Sequence, residues 1–157
     1  MVSPSATPFR KWVAAQASDF ATVPEQVRLP SGTFVLLLAA DATGVPDRVL
    51  HDCAVHLLRA GARYVCAWGP DCERVHFAFD MAAREVGLNH DDAVVMTTSH
   101  EDEPLREAVW YAANPAYPDE AYQEAGDCVV AVSIGNDDWA AEIREYLEAG
   151  TPLEDEP

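Results

Sequence analysis

The chain has 157 residues, 49% of them apolar, with 10 Lys and Arg against 27 Asp and Glu and a formal charge of -17. That is the composition of one globular domain with a buried core, not of a disordered chain. It argues against a nucleic-acid or anionic-membrane surface, which needs clustered Lys and Arg, whereas Lys11 is the only lysine present.

No apolar run approaches the roughly 20 residues that cross a bilayer. The opening MVSPSATPFRKW lacks the apolar stretch of an export signal. Cys53, Cys66, Cys72 and Cys128 follow no repeated spacing of a disulfide framework. Four reduced thiols in a cytoplasmic protein are expected.

Residues 1–32 differ from the rest, because Arg10, Lys11 and Arg28 outnumber Asp19 and Glu25 there. Phe9, Trp12, Val13, Gln16 and Phe20 fall at helical spacing, so a short helical appendage docked on an acidic domain is expected. Four apolar runs of strand length then follow: FVLLLAA at 34–40, RYVCAW at 63–68, AVVMT at 93–97 and CVVAVSI at 128–134. The first is nearly continuous, as in a strand buried on both faces.

Amphipathic stretches separate the runs. Val49, Leu50, Cys53, Ala54, Leu57 and Leu58 form one helical stripe that ends at Gly61, and Cys72, Val75, Phe79, Ala82, Ala83 and Val86 a second that ends at Gly87. Leu105, Ala108, Val109, Ala112 and Ala113 line a third helix, stopped by Asn114-Pro115. A fourth starts at Asp137, an expected N-cap, and runs through Trp139, Ala140, Ile143, Tyr146 and Leu147 to Gly150. Residues 117–126 read as an irregular connection. The fold class is α/β: a three-layer Rossmann-like or flavodoxin-like domain at 33–150 with a four-stranded parallel sheet, its runs in the order 2-1-3-4. The helical appendage at 1–32 precedes it and an acidic tail at 151–157 follows.

In such a sheet, ligands bind beyond the carboxyl ends of the strands. The residues that fall there are Asp41 after the first run and Trp68, Asp71 and Cys72 after the second. Thr98, Ser99, His100, Glu101 and Asp102 follow the third, and Asn136, Asp137 and Asp138 the fourth. Neither GxGxxG nor GxxxxGK[ST] occurs, which leaves no glycine cradle for phosphate. Asp41, Asp137 and Asp138 are candidate Mg²⁺ ligands. Cys66, Cys72 and His76 are candidate zinc ligands, although no C-x-x-C completes a tetrahedral set. His100 is a candidate general base with Glu101 orienting its ring, and Asp41 the other catalytic candidate.

LLLAADATGV, VVMTTS and SIGNDD resemble three motifs of the haloacid-dehalogenase-type phosphohydrolases. That resemblance implies an acidic nucleophile at Asp41, a hydroxyl at Thr97 or Thr98, and metal-binding acids at Asp137 or Asp138. The second acid of the family's first motif falls at Thr43 here, and its lysine has no counterpart. The stretches CAWGPDCERVH and MTTSHEDEPLREAVW are similar to those of a small uncharacterised bacterial α/β family, a likeness that brings no activity with it.

On the second helix Phe77 and Met81 lie opposite the core stripe, between Arg74 and Arg84, as a contact surface does unless Phe9, Trp12 and Phe20 cover it. With the charge and the lack of a complete catalytic set, this pair leads to the expected function: an accessory or regulatory protein, immunity- or antitoxin-like, that binds a protein partner, a basic one fitting the charge best. No cofactor is expected. The alternatives are a Mg²⁺-dependent phosphohydrolase and a small-ligand sensor, both at the same sheet edge.

Overall fold

The computed structural model describes residues 11–149. In chain order the elements are β1 (Lys11–Ala17), a 3-10 turn (Phe20–Thr22), α1 (Val23–Gln26), β2 (Phe34–Ala39), α2 (Asp47–Ala60) and β3 (Ala62–Trp68). Then come α3 (Cys72–Glu85), β4 (Met96–His100), α4 (Leu105–Ala113), a 3-10 segment (Glu120–Asp127), β5 (Cys128–Ile134) and α5 (Asp137–Ala149).

The sheet is parallel throughout and has five strands in the order β1-β5-β2-β3-β4. All six residues of β2 are buried, as the unbroken apolar run FVLLLA requires of a strand covered on both faces. Phe34, Leu36 and Leu38 point to the face covered by α2 and α3, and Val35, Leu37 and Ala39 to the face covered by α4 and α5. Both ends of β2 depend on a glycine of β3's flanks. Gly61 (φ 133°) and Gly69 (φ 120°) lie so close to Gly32 and Ala40 that a Cβ would sit 2.2 Å and 2.0 Å from their carbonyl oxygens.

Three expectations are corrected. Residues 11–17 form a strand, not a helix, so the sheet gains a fifth member at its edge, and the helical part of the described N-terminal region is confined to the 3-10 turn and α1. The spacing of Trp12, Val13 and Gln16 suits either period. In the strand, Trp12 packs with the α4/α5 face and Val13 with the α2/α3 face. Phe9 and the acidic tail lie outside the described residues.

The run at 93–97 starts its strand late. The Val94 and Val95 amides are taken by the side chains of Asp119 (2.8 Å) and Asn89 (2.6 Å) rather than by a neighbouring strand, and β4 runs from Met96 to His100. Finally, CVVAVSI pairs with FVLLLA on the side away from RYVCAW, so the four expected runs stand in the order 4-1-2-3, not 2-1-3-4. The chain steps outward from β2 through β3 to β4 and then returns across the sheet to β5. The order therefore reverses between β5 and β2, and the carboxyl ends of those two strands flank the crevice.

Candidate functional site

The carboxyl rim of the sheet divides into two halves. Over β5 and β2 lies a cleft of 330 Å³ lined by Ser18, Asp19, Phe20, Asp41, Asn136 and Trp139, among others. Beside it, towards β1, a cleft of 530 Å³ shares Ser18 and Asn136 and adds Gln16, Gln26 and Asp137. Local chemistry shapes each wall. Asp41 Oδ1 accepts the Thr43 amide at 2.9 Å, and hydrogen bonds from the Thr43 side chain and amide hold the Asp41 carboxyl below its ordinary pKa. Asp19 and Thr22 form a reciprocal capping box. Asn136, not Asp137, caps α5 by accepting the Trp139 amide at 3.0 Å. Asp137 is free to accept from Gln16 Nε2 at 2.6 Å, which ties α5 to β1.

The other half of the rim, over β3 and β4, is spent on internal bonds. Trp68 Nε1 donates to the Glu103 carbonyl at 2.7 Å, and the Trp68 ring meets the edge of Trp139 at a centroid distance of 4.9 Å. His100, 6% exposed, has Nδ1 3.0 Å from Glu103 Oε2 and Nε2 2.8 Å from Thr98 Oγ1. The orienting carboxylate is thus Glu103 and not Glu101, which is exposed beyond the strand end with Asp102. Carboxylate, imidazole and hydroxyl stand in the sequence that activates a nucleophile. Here, however, Tyr111 packs on the imidazole at 4.7 Å and bonds the Tyr64 hydroxyl at 2.9 Å, while neither rim cleft is lined by Thr98 or His100. The chain of bonds fastens β4 and the start of α4 to the sheet. Burial is the first cause, and the Tyr111 hydrogen bond the second, that push the Tyr64 hydroxyl well above its ordinary pKa.

The metal candidates are dispersed. Among the described residues no group of three or more His, Cys, Asp or Glu is placed to hold a metal ion. Asp41 and Asp137 line different clefts, and Asp138 is exposed. Cys66 belongs to the α4/α5 face and Cys72 to the α2/α3 face, on opposite sides of the sheet. His76 pairs with Asp80 instead, at 3.2 Å. All four cysteines are free thiols, and burial raises the pKa of Cys72. Asp71 takes the left-handed conformation (φ 63°) and accepts from Arg74 Nη1 at 3.2 Å. That guanidinium also binds the carbonyls of Ala42 and Val45 and the carboxylate of Asp47, fixing the loop that carries Asp41. Ser99 is half-buried.

The surface of α3 keeps its expected exposure. Phe77 is 65% and Met81 42% exposed, and neither Trp12 nor Phe20 covers them, since both pack elsewhere in the core. Val94 (41%) and Met96 (40%) join them as large exposed apolar residues. Both lie in the AVVMT run that sequence patterning assigned to a strand. Between Phe77 and Met81 in sequence, Asp80 accepts the Thr97 hydroxyl at 2.6 Å, so this flank of α3 overlooks β4.

Reading the sequence alone missed Glu103, Asp19, Val94 and Met96. Asp19-x-x-Thr22 is a legible capping signal. Glu103 carries none, since three acids crowd that turn.

A family model described as Domain of unknown function (DUF7684) matches residues 13–149, and the chain belongs to that family. No curated protein matches it. Among the described residues no helix is long and apolar enough to cross a membrane.

Proposed function

We propose that this member of the family is a non-catalytic accessory protein that binds a basic protein partner at the β4–α3 edge of its sheet. One observation carries the reading: Phe77, Met81, Val94 and Met96 are exposed apolar side chains around one strand of a chain whose formal charge is -17. Scattered apolar residues need no explanation, but large ones gathered at one margin of an acidic protein are the composition of an interface core with a charged surround. The charge speeds encounter with a basic surface and repels acidic ones. Supporting this, Thr98, His100 and Glu103 of the β3–β4 rim are bonded to one another.

Affinity capture compares wild type with the double variant Phe77→Asp/Met81→Asp. A basic protein held at about 0.15 M salt and released at about 0.5 M, where screening shortens the reach of charge, is expected on wild type and absent from the variant. Identical capture by both proteins sinks the proposal.

A second reading has its own support in the switch-point cleft. The carboxylates that line it, Asp19 and Asp41, are met by no Lys, Arg or His among its lining residues. Such a wall fits a small donor-rich or cationic ligand, in a sensor role. Titration calorimetry with spermidine and with agmatine tests it: heat lost in Asp41→Asn supports a sensor, and absence of heat for both amines retires it.

A further inference from the structure

We infer that the partner docks on β4 as an added strand, an extended segment with basic residues at both ends that becomes the sixth member of the sheet. The inference rests on the partner-binding reading and gives its interface a form.

β4 is the last strand of the sheet, so among the described residues one side of its backbone has no strand neighbour. Edges are usually blunted by Lys, Pro, a bulge or inward charge. Met96-Thr97-Thr98-Ser99-His100 carries none of these, and its register with β3 is regular from Tyr64↔Met96 to Trp68↔His100. The strand is also held in place before any partner arrives. Asp119 and Asn89 fix the residues that lead into it, and His100 is clamped by Glu103 at its end. A template ordered in advance lowers the entropy cost of binding.

Apolar groups stand on both sides of this edge, which distinguishes strand addition from a helix laid on one face. Thr97 faces α3, where it bonds Asp80 beside Phe77 and Met81. Met96 lies one residue away, so its side chain points to the opposite face of the sheet. An incoming strand alternates its side chains in the same way and meets apolar surface on each face. The charges fix the character of its ends. Exposed Asp91 and Asp92 precede β4, exposed Glu101 and Asp102 follow it, and exposed Glu73 and half-exposed Asp80 line the α3 flank. Lys or Arg at either end of the segment meets a carboxylate pair, whereas acidic ends are repelled, a second copy of this acidic chain among them.

The test uses the full chain and an array of blocked decapeptides with Lys or Arg at both ends and Val, Ile, Thr or Tyr at the six central positions. Fluorescence anisotropy measures affinity, and amide hydrogen exchange locates the contact. Peptides that bind and slow exchange in Met96–His100, with about tenfold weaker binding when one central residue is Pro, are the expected result. Met96→Lys is expected to weaken binding about tenfold and Ala141→Lys, an equal charge change on exposed α5, to leave it within about twofold. Exchange in the wild-type chain decides the matter even if a variant misfolds.

A basic amphipathic helical peptide forms the separating arm. If it binds while the extended array does not, strand addition is overturned and the partner reading stands. Failure of both peptide classes, together with unchanged capture by Phe77→Asp/Met81→Asp, overturns both. Sedimentation showing a dimer that Met96→Lys dissolves assigns the edge to a second copy and likewise overturns the inference.

Discussion

The centre of the sheet and its β4 edge are built under opposite constraints. At the centre, β2 is buried along its whole length, and glycines at both ends of β3 let the backbone pass where no side chain fits. At the edge, Val94 and Met96 face solvent, and within β4 only His100 is buried. Stability is therefore concentrated away from the surface offered to a partner. Substitutions are expected to sort by position: those at the centre unfold the protein, and those at the edge change what it binds.

The strongest test of that division is Gly69→Ala. The added methyl would meet the Ala40 carbonyl at 2.0 Å in a backbone conformation (φ 120°) that alanine resists. A loss of about 3–5 kcal/mol in urea unfolding is expected, with failure to fold at the upper end. A change under about 1 kcal/mol would show that β2 and β3 part easily and that the centre is no more constrained than the rim. His100→Ala comes next, because it sits where the two regimes meet. It removes a buried ring and breaks its bonds to Glu103 and Thr98, and is expected to cost about 2–3 kcal/mol. Exchange in β4 should accelerate more than exchange in β2. Equal acceleration would mean that β4 has no separate stability.

The unequal legibility of the sequence follows the same division. FVLLLAA and CVVAVSI announce buried strands because long, nearly continuous apolar runs suit strands covered on both faces. The four long helices are legible from their stripes and from what ends them, a glycine after three and Asn114-Pro115 after α4. KWVAAQA is not legible, since an edge strand needs only intermittent burial and its apolar spacing satisfies two periods at once. AVVMT misplaces its strand because Asn89 and Asp119 take the amides of Val94 and Val95, bonds no local pattern foretells. The rim itself was foreseeable: Asp41 and Asn136 do meet in one cleft. What could not be read was which polar residues the fold consumes. Pairing of His100 with Glu103 rather than Glu101 depends on the path of the turn into α4, and the order of the strands on long-range pairing.

High pH probes the centre by another route. Burial pushes the Cys53 thiol up to about 12, and burial followed by the Glu142 hydrogen bond pushes the Tyr146 hydroxyl to about 12. Each group is neutral in the fold, whereas it ionises in the unfolded chain near its ordinary value, 9.0 for the thiol and 10.0 for the phenol. The unfolded state then binds fewer protons, so the contribution of these two groups is level below about pH 9 and stability falls between there and pH 12. Cys53 alone should contribute a slope of about 1.4 kcal/mol per pH unit in that window. Melting temperatures of wild type and Cys53→Ala between pH 8 and 11 provide the check. An unchanged slope in the variant would remove Cys53 from the account.

The smallest expected effect bears most directly on the comparison. Phe77→Asp/Met81→Asp replaces two side chains that are 65% and 42% exposed, on the side of α3 opposite its core stripe. Little apolar area returns to water on unfolding at these positions, so the hydrophobic loss is small. Two further acids on a chain of formal charge -17 add repulsion, and Asp is a poorer helix former than Met. Together these set a cost of about 1 kcal/mol or less in urea unfolding at 0.15 M salt, and less still at higher salt. The same pair on the core stripe of α3, Phe79→Asp/Ala83→Asp, would leave no folded protein to measure. If the surface pair proved as damaging, Phe77 and Met81 would be supporting the fold, and the apolar margin of β4 would belong to the centre rather than to an interface.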